Sequence, residues 1–121
     1  MLNKIPILTY HSICNDKSLV SISSDAFENQ IIYLKKRGYK SINFDQLNKA
    51  KSKSVIITFD DGYKDNLLTA LPILKKYGFK ATCFIISNFI GKTNIWDDKK
   101  PNYIKKELMN FADIKEWEKN G

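Results

Sequence analysis

Apolar and polar positions repeat along this chain with two different periods, and each change of period marks an element. The most informative stretch is Ser54-Val55-Ile56-Ile57-Thr58-Phe59-Asp60-Asp61-Gly62-Tyr63. Its run over 55–59 is continuous rather than alternating, mostly β-branched or aromatic, and too short for a helix. It predicts a central strand covered on both faces, as in parallel α/β sheets. Residues 5–10 predict a first strand, with Pro6 tolerated near its start and His11 following at its carboxyl end. Helical spacing comes next: Phe27, Ile31 and Leu34 share one face. Ser24 or Asp25 caps that helix, Asp25 and Glu28 suit its first turn, and Gly38 stops it in a left-handed cap.

Residues 39–43 predict a second short strand, after which Asn43 and Gln46 suit the start of a short helix through Ala50. Residues 64–70 predict a helical turn. Pro72 belongs in the first turn of a new helix, because inside one it would interrupt the hydrogen-bond ladder. That helix ends at Tyr77 before Gly78, and residues 80–86 predict a fourth strand. Residues 87–103 have no clear period and predict a long loop, 104–109 a helical piece, and Ala112 or Asp113 the start of a last helix through Lys119, with Ile114 and Trp117 inward. Leu34-Lys35-Lys36-Arg37-Gly38-Tyr39-Lys40 is echoed by Leu74-Lys75-Lys76-Tyr77-Gly78-Phe79-Lys80; each copy is a helix end, a glycine stop and a strand entry. Alternating strands and helices imply parallel pairing with right-handed crossovers. The fold class is therefore α/β.

In such folds reactive groups gather at the carboxyl ends of strands, and Asp60 and Asp61 fall there. Successive strand side chains point to opposite sides, so the two carboxylates can hold different jobs, one on a cation and one on a proton. Gly62 lets the backbone turn without a Cβ penalty. A plain polar turn would have the same composition. In the long loop, Trp96 with Asp97 can offer a sugar a stacking face and an acceptor, or Trp96 can simply pack the loop down.

Thr58-Phe59-Asp60-Asp61-Gly62-Tyr63 resembles the first motif of the polysaccharide deacetylases, the NodB-homology group of carbohydrate esterases. Pro6-Ile7-Leu8-Thr9-Tyr10-His11 resembles their opening strand, and residues 27–39 their first helix and its glycine stop. Leu71-Pro72-Ile73-Leu74-Lys75-Lys76-Tyr77-Gly78-Phe79-Lys80-Ala81-Thr82-Cys83-Phe84 resembles the helix, glycine and strand that follow. The resemblance implies a partial, irregular β/α barrel with parallel strands and intervening helices. A closed barrel takes about 200 residues or more, so the 121 residues of this chain are expected to form the amino-terminal portion of such a domain, truncated and inactive alone.

The implied activity is metal-dependent removal of N-acetyl or O-acetyl groups from a polysaccharide such as peptidoglycan or poly-N-acetylglucosamine. Asp60 would be the general base and Asp61 a ligand of a divalent cation, zinc by expectation; Tyr63 and Trp96 are candidate substrate contacts. Two histidines on a later segment normally join that aspartate, whereas His11 is the single histidine here and the candidate ligand within the chain. A catalytic zinc commonly needs three protein ligands. A complementing C-terminal chain would supply the rest, or the chain is a non-catalytic glycan- or partner-binding remnant. A haloacid-dehalogenase-like phosphotransferase wants Asp-x-Asp-Gly-Thr, which the spacing of Asp60-Asp61-Gly62-Tyr63 does not give.

The formal charge of +7 raises a nucleic-acid partner, but the cations are almost all lysines in ones and twos, with Arg37 the only arginine. No recognition motif or Arg-rich stripe appears. A solvated lysine surface is expected, with weak attraction to anionic cell-wall polymers or membranes. Cys14 and Cys83 form no CxxC pair; Cys83 lies in an apolar run and is expected to behave as a small buried hydrophobe, and two cysteines do not fix a redox compartment. Residues 1–4 pass straight into a strand, so no signal peptide is expected and the cytoplasm is the default compartment, although the resembled family often works outside the membrane. No run is long enough to span a bilayer.

Overall fold

A computed structural model describes residues 4–121; the expectation for Met1 to Asn3 lies outside the described residues. Strand β5 (Ser54–Asp61) is the centre of the sheet, and its first six residues are buried. On one side β1 (Ile7–Tyr10) runs parallel to it, with Ile7 opposite Ile56 and Tyr10 opposite Phe59. On the other side two short parallel strands share its length. Strand β4 (Lys40–Ser41) pairs with Ser54 and Val55, and β6 (Thr82–Ile85) pairs with residues 58–61. Between β1 and the first helix, β2 (Ser12–Ile13) and β3 (Ser21–Ile22) form a small parallel pair of their own. The second and fourth strands are thus shorter than their apolar runs, because the partner strand extends only where its backbone groups are free to pair. Among the described residues the sheet is open, with β1 at one edge and β4 and β6 along the other.

Helix α1 (Ser24–Lys36) buries Phe27, Ile31 and Leu34, the face its spacing predicts. Its cap is Ser23, one residue earlier than expected: the Ser23 hydroxyl accepts from the Ala26 N–H at 3.1 Å. Phe27 packs edge-on against Tyr10 and Phe59, and Phe59 edge-on against Trp117, at centroid distances of 5.0, 5.8 and 5.7 Å. This aromatic set joins sheet and helices in one core.

Two elements differ from the periodicity. Helix α2 (Leu71–Tyr77) is not a fresh start at Pro72 but continues from a π-helical turn over Asn66–Ala70. The Leu71 N–H reaches back to the Asn66 carbonyl, and this wider turn lets the helical path run past a proline that has no N–H to give. Residues 104–109 are extended rather than helical. Leu108 bridges antiparallel to Tyr63, and Glu107 to Thr93, so backbone pairing overrides their weak helical pattern. Helix α3 (Phe111–Lys119) then starts from Asn110, whose side chain accepts from the Asp113 N–H while Asp113 accepts from the Asn110 N–H, a reciprocal cap. No helix of the described residues is long and apolar enough to cross a membrane.

Candidate functional site

The carboxyl end of β5 carries the two acids. Asp60 faces His11 at the end of β1, Oδ2 to Nε2 at 3.8 Å, and both side chains are 39% exposed. The parallel register explains this: Tyr10 is opposite Phe59, so the next residue of each strand lies at the same rim. Neither Asp60 nor Asp61 is ion-paired with a lysine among the described residues. Asp61 is half-buried, in left-handed backbone at φ 73°, and Gly62 follows at φ 75°. A left-handed residue with a Cβ is uncommon and collects at functional sites. Burial pushes the Asp61 carboxyl up from its ordinary range; His11 and Lys100 oppose this, while Asp60 and Asp97 add to it. A Cβ at Gly62 would stand 2.7 Å from Ile85 Cδ1, so glycine lets this turn lie close against β6.

Beneath the rim is a polar network that sequence reasoning missed. Asn66, wholly buried, donates to the His11 carbonyl at 2.7 Å and to Asp65 Oδ1 at 3.1 Å. Asp65 also accepts from the Ser12 hydroxyl at 2.5 Å and the Ile13 N–H at 3.0 Å. Lys106, buried, binds Asp16 and lies 4.0 Å from Asp65. Burial by itself would raise the Asp16 carboxyl, but hydrogen bonds from Lys106, Ser21, Ser18 and Cys14 hold it down at about 2. These groups pin the strand end that carries His11. The available signal was Asp65-Asn66 directly after the acidic motif, polar residues at the start of an element whose later residues are apolar.

The expected substrate contacts are placed differently from Asp60 and Asp61. Tyr63 is 0% exposed, and burial raises its hydroxyl well above the ordinary range. It is a packing residue, with no face left for a sugar. Trp96 is half-buried between Phe89 and Tyr63, at centroid distances of 5.1 and 6.5 Å, and therefore fastens the loop. Asp97, expected as an acceptor, is buried and paired with Lys100 at 2.5 Å. A cleft of about 250 Å³ opens beside His11, with Ser12 and Leu19 in its wall. Among the described residues no set of three His, Cys, Asp or Glu side chains is placed to hold a metal ion. His11 stands against Asp60 and acts on the charge of Asp61; His11 and Asp61 by themselves are too few for a three-ligand zinc site, so the residues present do not make up a complete cation site.

Residues 47–121 match the sequence profile of the polysaccharide deacetylases. The chain belongs to that family. It is 45% identical over 95 residues to YxkH of Bacillus subtilis, which bears the polysaccharide deacetylase name, a match covering 73% of this chain and 34% of the relative. It is 35% identical over 104 residues to a poly-beta-1,6-N-acetyl-D-glucosamine N-deacetylase of Staphylococcus aureus, covering 81% and 35% respectively. Among solved structures, IcaB of Ammonifex degensii superposes with a TM-score of 0.80 at 25% identity, over 98% of this chain and 50% of that one. The match thus spans about a third of the length of these curated relatives. The polysaccharide deacetylase family member described here has the α/β fold of its solved relatives, with an open sheet among the described residues.

Proposed function

We propose that this chain is the amino-terminal portion of a polysaccharide N-deacetylase domain and supplies the acidic corner of its site. The observation that supports this is the half-exposed Asp60 carboxylate, faced by His11 and free of any lysine, at the carboxyl end of the central strand. Asp60 acts as general base. It takes a proton from a water whose oxygen bonds to the acetyl carbon; the carbon–nitrogen bond then breaks as the nitrogen takes up that proton from Asp60, and acetic acid, which ionises to acetate in water, leaves with the free amino sugar. His11 stands against Asp60 and narrows the directions in which that carboxylate can turn. The nature of two relatives, both poly-beta-1,6-N-acetyl-D-glucosamine N-deacetylases, favours an N-acetylglucosamine polymer as substrate. Metal dependence is part of the reading: Asp61 is one oxygen donor for a divalent cation, zinc by the family resemblance, whose other ligands are not among the described residues. Further chain of the same domain, or a complementing polypeptide, would supply them.

The test is acetate release from β-1,6-linked N-acetylglucosamine oligomers with added zinc by this chain carried in its complete domain, together with zinc titration of the same protein by calorimetry. Asp60→Asn is expected to lower turnover by about 10²–10⁴-fold while zinc affinity stays, and Asp61→Asn to lower zinc affinity. An unchanged rate in Asp60→Asn ends the assignment. The lack of a three-ligand cluster among the described residues favours one competing reading, a glycan-binding member without chemistry. That reading requires oligomer binding with no acetate released by any form of the protein.

A further inference from the structure

Lysines recur along the whole chain, but the charge imbalance does not. Residues 35–54 contain seven basic side chains and one acid, Asp45, a net of +6 out of the chain's +7; the other residues hold 13 basic and 12 acidic groups. Among the described residues none of these seven cations is paired with a carboxylate, whereas Lys64, Lys76, Lys100, Lys106 and Lys119 all are. The fold gathers five of them around two neighbouring clefts. One, of about 430 Å³, is walled by Lys40, Lys49, Lys51 and Lys53. The other, of about 370 Å³, is walled by Arg37 and Lys53, so Lys53 is common to both. Neither wall contains an acidic residue. Lys53 is held in place by donating to the Arg37 carbonyl at 2.7 Å.

These clefts lie at the amino end of β5, where Ser54 closes the wall, while Asp60 and Asp61 stand at its other end. Seven residue steps of strand separate Ser54 from Asp61, about 23 Å at the usual rise. An acetylated amino-sugar polymer is neutral and its deacetylated product is cationic, so this surface is not built for either. We propose that the paired clefts are a binding site for a linear polyol-phosphate polymer, a base-free polyanion with phosphodiesters in its backbone. Two clefts sharing a cation suit an extended chain better than a single phosphate, and their concavity suits a polymer better than a flat bilayer. Lysines are point charges without the planar fork of arginine, which matches a ligand recognised by repeated charge. The site holds the protein on an anionic polymer while leaving the acidic rim free.

The experiment is calorimetric titration of the folded protein with poly(glycerol phosphate) at several salt concentrations, which does not depend on deacetylase activity. Lys40, Lys49, Lys51 and Lys53 are replaced together by Gln. In a control of equal net charge, Lys75, Lys99, Lys105 and Lys115, all exposed and outside both clefts, are replaced instead. The cleft variant is expected to bind at least about tenfold more weakly, with the slope of log K against log salt reduced by about 3, the value for four contacts to a single chain. The control is expected to bind as the parent does. Circular dichroism confirms that both are folded; if the fourfold variant is not, the paired variants Lys40→Gln/Lys49→Gln and Lys51→Gln/Lys53→Gln are each expected to lose part of the slope. Equal losses in cleft and control variants would overturn the proposal, since net charge alone would then explain binding. Tighter binding of a single-stranded oligonucleotide of matched charge, or of phosphatidylglycerol vesicles, would overturn the choice of ligand.

Discussion

Asp61 occupies a position that costs stability twice, once in left-handed backbone and once in a half-buried carboxylate whose ionisation is disfavoured. Because its folded pKa is raised, the native state binds the proton more tightly than the unfolded chain. Stability from this group is therefore lost as pH rises through the folded value. Asn tolerates the same backbone and has no charge, so Asp61→Asn is expected to raise Tm at neutral pH while weakening zinc binding. A calorimetric melt beside a zinc titration checks both. Its neighbour behaves oppositely: Gly62→Ala forces a Cβ at φ 75° toward Ile85 and is expected to cost about 1–2 kcal/mol, read from urea denaturation. Asp16 has the reverse sign from Asp61. Its carboxyl is held at about 2, so its contribution is complete above the ordinary carboxylate range and fades as pH falls from about 4 toward 2. Asp16→Asn should flatten that part of a stability–pH curve. The acid pair was legible in the sequence because a buried strand ended in it. That Tyr63 is wholly buried and Trp96 half-buried could not be read, because an aromatic beside an acid looks the same in sequence whether its ring faces a ligand or a neighbouring ring.

Among the elements, long apolar runs announced themselves and short pairing segments did not. Strand β5 and helix α1 follow from burial patterns that only one geometry satisfies. Ile57, wholly buried in β5, is expected to cost about 2–5 kcal/mol on change to Ala, measured by the same denaturation. The helical path through Pro72 could not be read, because it depends on a turn one residue wider than an α-helix. The extended segment over 104–109 is set by a distant partner: the Lys64 N–H donates to the Glu107 carbonyl, and the Met109 N–H to the Gly62 carbonyl. Buried polar groups were the hardest of all. Asn66 closes the first turn toward α2 and secures the His11 carbonyl, and Asn66→Ala is expected to cost about 1–3 kcal/mol by leaving that carbonyl without its donor. Proton resonances of the single histidine should also shift in this variant if the strand end is released.

At the scale of the whole molecule, the composition alone gave a misleading average. A net charge spread over 121 residues suggested a uniform solvated surface, yet nearly all of the excess sits on one stretch around the amino end of β5. What decides whether lysines form a surface or a site is how many carboxylates the fold brings to them, and that is a tertiary property. The family was legible because its motif and its following helix, glycine and strand are contiguous in sequence. The cation site was not, since coordination needs groups from several elements and the described residues bring together too few.

Strand β5 is in effect a rod with anions at one tip and cations at the other, a fixed electric dipole along the direction of the chain. In the field of any negatively charged surface such a rod aligns before it touches, cationic tip first. The carboxylates of Asp60 and Asp61 would then point away from that surface.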